Sequence, residues 1–185
     1  MPTHMKLPSI LIFLSLLVHC AFFPEGKVMM SPSSPVNTAD TAWMLTATAL
    51  VLFMTPGLSF FYGGMVGHKK VISTMLLSFV CMGIVSILWV VVGFSLCFGD
   101  SIGGIILAPR TFFMFRNVTG ATHAELSPTI PLILFALFQM KFAIITPALI
   151  TGPFAERVKF SSYTIFVSLF IVFIYAPLVH MTWHP

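Results

Sequence analysis

Charged side chains are scarce in this sequence, and their scarcity excludes most classes of protein. Only 8% of the 185 residues are charged, 58% are hydrophobic, and the mean hydropathy is +1.03. Ordinary soluble domains carry roughly 25% charged residues. The composition therefore excludes a soluble globular domain, a disordered tail and a nucleic-acid-binding module. It fits a chain whose solvent is lipid.

Cysteines and catalytic motifs are also few. The three cysteines do not form a disulfide framework, because Cys81 and Cys97 lie about 24 Å apart along one apolar segment. The sequence contains no HExxH, no GxSxG and no strand-linked GxGxxG. His180 and His184 have the spacing of a metal-ligand pair, but no third ligand is near them in sequence. We therefore expect interface histidines there, with no enzyme activity, metal site or cofactor.

Long apolar runs dominate what is present. A membrane-spanning helix needs about 20 apolar residues. The sequence predicts an all-α integral membrane protein with about four such helices, over residues 41–62, 71–98, 130–152 and 160–180. Together they form a membrane domain over residues 39–185.

The first span carries its own start and stop signals. Asp40 is the predicted N-cap, with Thr38 as its rival. Pro56 should kink the helix. Gly63 and Gly64 then predict its end.

The N-terminal segment differs in character from the spans. Residues 1–27 hold a short apolar core after Lys6, which favours a secretory signal peptide, with a short uncleaved anchor as the alternative. Residues 28–38 are rich in proline and serine and are predicted to be a linker.

Positive charges predict the orientation. The two short connections carry Lys69 with Lys70 and Arg157 with Lys159. Since short basic loops stay in the cytoplasm, the N-terminus and the long loop after the second span should face outside. The sequon at Asn117 would then be on the outer side, as a candidate glycosylation site.

Aromatic residues suggest a binding function. Phe135, Phe138 and Phe142 follow helical spacing on the third span, with Gln139 between them, and Trp183 ends the fourth span. Such a stripe is compatible with lipid-facing or packed rings. Spacing alone favours that interpretation, and the functional alternative is a ring-lined constriction for a small cation, which aromatic faces attract by about 2 kcal/mol when it is desolvated.

Lys141 is the unusual residue of the third span. A lysine at the bilayer centre costs about 2.5–3.5 kcal/mol on insertion scales. No acidic residue lies inside any predicted span. Two interpretations therefore stay open: an amine that faces a pore and an unpaired charge that the fold tolerates.

The order of motifs resembles the N-terminal part of the Amt/Mep/Rh ammonium transporter family, most closely its Amt branch. The matching stretches cover nearly the whole chain from Thr38. They are TADTAWMLTATALVLFMTPGLSFFYGGMV, ILWVVVGFSLCFGD, LFQMKFAIITPALITGPFAERVKF and APLVHMTWHP.

The resemblance implies an inverted-repeat helical transporter for ammonium and ammonia, with methylammonium as a further solute. It also implies a homotrimer in the plasma membrane. Phe138, Phe142 and Trp183 look like the family's vestibule and gate aromatics, with Gln139 between them. These four residues are the expected substrate-binding residues.

The sequence also departs from the family pattern. The DFAGG stretch and the pore histidines are absent, and Lys141 and Pro153 replace residues that are typical of the family. We therefore expect an incomplete, N-terminal fragment of a transporter. The alternative is a non-transporting truncated product or a membrane interaction protein.

Overall fold

Four long helices form most of the part of the chain that the structure describes. The computed structural model describes residues 35–102, 106–107, 110–155 and 157–184. Its apolar helices are α1 (Thr38–Met65), α2 (His68–Phe98), α3 (Leu132–Leu149) and α4 (Phe160–Trp183), each long enough to cross a membrane. This confirms the predicted all-α membrane fold. The predicted signal peptide or anchor, residues 1–27, lies outside the described residues, as does most of the linker.

The predicted start of α1 was wrong. The N-cap is Asn37, whose side-chain oxygen accepts hydrogen bonds from the backbone N–H groups of Ala39 and Asp40. Asn37 has extended backbone angles, as an N-cap residue requires. Thr38 and Asp40 therefore lie inside the helix, and Thr38, the last residue of the predicted linker, is its first residue.

The predicted end of α1 was also wrong. The helix continues through Pro56, Gly63 and Gly64 and ends at Met65. Gly63 is buried, and a Cβ atom at this position would lie 2.9 Å from Cγ of Met75. The glycine thus serves the close packing of α1 on α2 and does not break the helix.

Two of the helices contain a π-helical turn. In α2 a 3₁₀ turn (His68–Lys70) and an α-helix (Val71–Leu88) precede the π turn Trp89–Gly93 and a last α-helical turn, Phe94–Phe98. In α4 the α-helix Phe160–Phe170 precedes the π turn Ile171–Tyr175 and the α-helix Ala176–Trp183. Such turns locally widen a helix and redirect its side chains.

The ends of α3 and α4 differ slightly from the prediction. α3 begins after Pro131 and ends at Leu149, and a single helical turn (Thr151–Phe154) follows it and extends past the predicted end at residue 152. α4 continues to Trp183 instead of ending at residue 180. The hydropathy pattern locates such spans, but local hydrogen bonding decides their last turn.

The core lies between α2, α3 and α4. Small and apolar residues at helical spacing line the buried face of α2, among them Ser78, Cys81 and Val85. The Sγ atom of Cys81 lies 3.6 Å from the carbonyl oxygen of Ile144 on α3. α1 is less enclosed, since its buried residues are Thr55, Ser59 and Gly63.

A long segment between α2 and α3 covers one end of the bundle, which we call the loop end. It contains the short antiparallel strands β1 (Ser101–Ile102) and β2 (Ile106–Leu107) and a 3₁₀ turn, Phe113–Phe115. Backbone bonds from Asn37 N–H to Thr129 and from Leu132 N–H to Ala121 join this segment to α1 and α3. The opposite end, formed by the α1–α2 and α3–α4 connections, is called the connection end.

Candidate functional site

Three aromatic side chains from α3 and α4 meet at one place. The ring centroids of Phe138 and Phe142 are 5.0 Å apart, and those of Phe142 and Trp183 are 5.9 Å apart. Both pairs are edge to face, with interplanar angles of 74° and 86°. We call these three residues the aromatic cluster. The structure thus brings together the three rings that the sequence indicated.

Helix geometry explains the position of the cluster. Phe138 and Phe142 are four residues apart, so they share one face of α3. Trp183 is the last residue of α4, which runs antiparallel to α3 along the bundle. The cluster therefore lies toward the loop end. Phe135 does not join it, because its ring packs against Phe98 of α2, with the centroids 5.1 Å apart.

The cluster is partly open. Phe138 and Phe142 are half-buried, and 48% of the surface of Trp183 is exposed. Exposed aromatic faces can bind a cation, whereas rings enclosed on both faces cannot.

Gln139 lies between the two phenylalanines in sequence and is half-buried. Its Oε1 atom is buried and has no hydrogen-bond partner among the described residues. An unpaired buried acceptor costs about 1–3 kcal/mol. A ligand that carries N–H groups would satisfy this oxygen.

Lys141 lies near the middle of α3 and is half-buried. Among the residues that the structure describes, none forms a hydrogen bond or ion pair with its amine. Successive residues of an α-helix are about 100° apart around the axis. Lys141 is therefore about 100° from Phe142 around the axis, but only about 60° from Phe138, three residues earlier.

The histidine pair at the end of α4 is packed closely. His180 is buried, and its Nδ1 atom lies 3.1 Å from the carbonyl oxygen of Cys97 on α2. Since a carbonyl can only accept, Nδ1 carries the proton and joins α4 to α2. The ring centroids of His180 and His184 are 4.6 Å apart. Sequence analysis had placed both histidines at an interface, and nothing in their spacing indicated this contact between helices.

Asn117, the candidate glycosylation site, is half-buried in the loop. Its backbone has a positive φ of 62°. Its side-chain Nδ2 donates to the carbonyl oxygen of Thr111, at 3.3 Å. Nδ2 carries two hydrogens, of which a glycan would replace one, and glycosylation stays a prediction.

Sequence analysis did not single out His123, which organises the loop end. Its ring is buried, and Nδ1 accepts hydrogen bonds from the N–H groups of Glu125 and Leu126, at 3.3 and 3.2 Å. Burial lowers the pKa of His123, and the nearby carboxylates of Glu125 and Asp100 partly oppose this shift. The ring is therefore neutral near pH 7, as its acceptor role requires.

Known proteins resemble this chain over most of its described length. The model of the Ammonium Transporter Family matches residues 42–185. A putative ammonium transporter of Methanothermobacter thermautotrophicus is 46% identical over 149 residues, which are 80% of this chain and 36% of the relative. An ammonium transporter of Aquifex aeolicus is 39% identical over 173 residues, which are 93% of this chain and 38% of the relative.

The fold of this chain is also similar to solved structures. Saccharomyces cerevisiae Mep2 superimposes with a TM-score of 0.67 and 31% identity, over 83% of this chain and 34% of that protein. Candida albicans Mep2 gives a TM-score of 0.68 and 28% identity, over 80% of this chain and 32% of that protein. The chain spans a little more than one third of the two curated relatives it matches.

Proposed function

Because the chain belongs to the ammonium transporter family, we propose that it takes part in moving ammonium across a membrane and that its aromatic cluster recruits the cation. The observation that carries this proposal is the meeting of Phe138, Phe142 and Trp183 in edge-to-face contact. No residue of this site is proposed to act in catalysis.

The recruitment step rests on electrostatics. The face of an aromatic ring carries partial negative charge, and a small cation within about 6 Å of its centroid is attracted to it. Several rings in contact can hold NH4+ after it loses part of its hydration shell. The unpaired Oε1 of Gln139 would accept a hydrogen bond from one of its N–H groups.

The conduction step follows from the cost of burying charge. A bare cation in a dry apolar pore is strongly destabilised, whereas neutral ammonia is not. We therefore propose that NH4+ is held at the cluster, is dehydrated and crosses as ammonia, with separate or coupled movement of the proton. Methylammonium, which also carries N–H donors and a positive charge, would be a second solute.

The proposal includes the cellular arrangement. The connection end carries the short basic loops and would face the cytoplasm, with the N-terminus outside and the protein in the plasma membrane. The subunit would assemble as a homotrimer. The support for these points is the charge distribution in the sequence and the family membership.

One observation favours a second candidate, a membrane protein that interacts with others and does not transport. Lys141 places a positive charge within α3, and the described residues offer it no counter-charge. A cation that approaches along α3 would be repelled, since like charges 4 Å apart cost about 1 kcal/mol in water and more in a drier site. In this case the chain would act through its association with other membrane subunits.

Uptake of radiolabelled methylammonium distinguishes the two candidates. The complete transporter of which this chain is proposed to be the N-terminal part would be expressed in cells that lack their own ammonium transporters, with membrane insertion verified. We expect saturable uptake. Trp183→Leu should raise the apparent KM about fivefold, because a partly exposed cation–π contact contributes about 1 kcal/mol.

Trp43 provides the matched control, since it lies at the loop end on α1 and is 74% exposed. Trp43→Leu should leave KM unchanged. If the inserted wild-type protein took up no methylammonium, the non-transporting candidate would be favoured. If both tryptophan variants behaved alike, the aromatic cluster would have no role in recruitment.

A further inference from the structure

Two histidine rings stand next to one another where α4 ends. His180 and His184 are four residues apart in the sequence, and their ring centroids are 4.6 Å apart with an interplanar angle of 49°. Sequence analysis expected no metal at this pair, because no third ligand is near it in the sequence. The tertiary structure adds two observations that change this expectation: the contact between the rings and the group that holds one of them.

The ring of His180 is held in a defined orientation. Its Nδ1 donates to the carbonyl oxygen of Cys97 on α2, at 3.1 Å, and the side chain is buried. In a neutral imidazole whose Nδ1 carries the proton, Nε2 has the free lone pair. Histidines that bind metals are commonly held in this way, since a backbone carbonyl or a carboxylate accepts the proton of the other ring nitrogen. The contact with Cys97 therefore fixes the tautomer that a metal ligand needs.

The separation of the two rings suits a shared ion. Zn–N bonds are about 2.0–2.1 Å long, so two nitrogens of one tetrahedral ion lie about 3.3 Å apart. Rings whose centroids are 4.6 Å apart can present two nitrogens at this spacing after a small rotation of their side chains. Within the described part of the chain, no group of three or more histidine, cysteine or acidic residues could hold a metal. Water would therefore supply the other ligands.

The chemistry of the pair restricts which ions it can bind. Imidazole nitrogens are good ligands for Zn²⁺, Cu²⁺ and Ni²⁺, whereas Mg²⁺ and Ca²⁺ prefer oxygen ligands. Among divalent ions of the first transition row, Cu²⁺ binds most tightly to a given set of nitrogen ligands. The ring of His184 is half-buried and follows the last residue of α4, so an ion can approach the pair from the loop end.

We propose that His180 and His184 form a two-histidine site for a divalent transition-metal ion, Zn²⁺ or Cu²⁺. Trp183 lies between them in the sequence and belongs to the aromatic cluster. A bound ion would add positive charge beside the cluster and would weaken the binding of a second cation there. This consequence rests on the proposed function. The binding of the metal does not depend on transport, so either proposal can fail while the other stands.

Titration of the full chain with Cu²⁺ in mild detergent tests the proposal. Electron paramagnetic resonance shows how many nitrogens bind the ion, and the titration gives its dissociation constant. We expect two imidazole nitrogens in the wild type. His184→Asn should show one at most and should bind Cu²⁺ at least about tenfold more weakly, because the second imidazole no longer acts at a high effective concentration. An excess of Mg²⁺ should not compete.

His68→Asn is the matched control, since His68 is exposed at the connection end, and this variant should bind Cu²⁺ as the wild type does. Circular dichroism would verify that each variant retains its helices. A wild-type spectrum with a single nitrogen, or wild-type affinity in His184→Asn, would overturn the proposal. An equal loss of affinity in His68→Asn would also overturn it, because the ion would then be bound elsewhere.

Discussion

Trp89 begins the π turn of α2 and Tyr175 ends the π turn of α4, and their rings meet edge to face with centroids 6.4 Å apart. The indole Nε1 of Trp89 also donates to the carbonyl oxygen of Ala136 on α3, at 3.1 Å. One buried side chain therefore joins three of the four spanning helices.

We expect Trp89→Phe to destabilise the protein by about 1–3 kcal/mol, because the buried indole hydrogen bond to Ala136 and part of the packing of the larger ring would be lost. The free energy of unfolding in detergent, followed by circular dichroism, measures this. Trp43→Phe is the control and should change it by less than about 0.5 kcal/mol, since Trp43 is exposed. Equal effects of the two substitutions would contradict a role for the indole hydrogen bond.

Gly63 and Gly64 are adjacent on α1 and differ in their surroundings. A Cβ atom at Gly63 would lie 2.9 Å from Cγ of Met75. A Cβ atom at Gly64 would have no neighbouring atom within 4 Å. Gly63→Ala should therefore destabilise the packing of α1 on α2 by about 1 kcal/mol. Gly64→Ala should leave stability unchanged or raise it by up to about 1 kcal/mol through helix propensity. Thermal unfolding of both variants measures the difference, and the opposite order would show that α1 packs differently.

Lys141 lies within α3, and the part of the chain that the structure describes provides no partner for its amine. Removal of the charge in Lys141→Met should raise the free energy of unfolding by up to about 2.5 kcal/mol. Lys159→Met, at an exposed position of the connection end, should change it by less than about 0.5 kcal/mol. A loss of stability in Lys141→Met would indicate that a group outside the described residues binds the amine.

The loop end should loosen as the pH falls. The pKa of His123 is lower in the folded chain than its usual value of about 6.5. Its contribution to stability is thus complete above about pH 6.5 and is lost as the pH falls through the folded pKa, because protonated Nδ1 can no longer accept the N–H groups of Glu125 and Leu126.

Backbone hydrogen exchange over residues 119–131 measures this loss of stability. The exchange rates are compared at pH 7.5 and pH 5 after correction for the intrinsic rate. We expect less protection at pH 5 in the wild type. His123→Ala should show low protection at both pH values, and His123→Asn, whose carbonyl oxygen can accept similar bonds, should keep protection at both. Protection in the wild type that did not depend on pH would exclude this role for His123.

Sequence analysis predicted the spanning helices more reliably than their ends. The four spans follow from hydropathy, because lipid requires long apolar segments with all backbone groups bonded internally. The start at Asn37 and the passage of α1 through Gly63 could not be predicted. An N-cap depends on which of several neighbouring polar side chains bends back, and a helical glycine depends on what packs against it.

The candidate site was likewise predicted from the sequence only in part. Spacing alone indicated that Phe138 and Phe142 share a helix face with Gln139 between them, and Trp183 was recognised at the end of another span. The resemblance to a known family favoured a binding role for these residues. The contact between Phe142 and Trp183 joins residues 41 positions apart, since 183 − 142 = 41. The separation of Phe135 from the cluster also depended on a neighbour from another helix, Phe98. Helical periodicity contains no information about such neighbours.

The amino-acid sequence by itself determined that this chain resides in a membrane, where the four spans of its described part lie and which family it belongs to, because apolar length and local motif order are properties of contiguous residues. The tertiary structure decided which rings meet, which indole joins three helices and which histidine holds the loop. These outcomes depend on how the helices are rotated and paired. Packing between distant segments sets that arrangement, and no single segment specifies it.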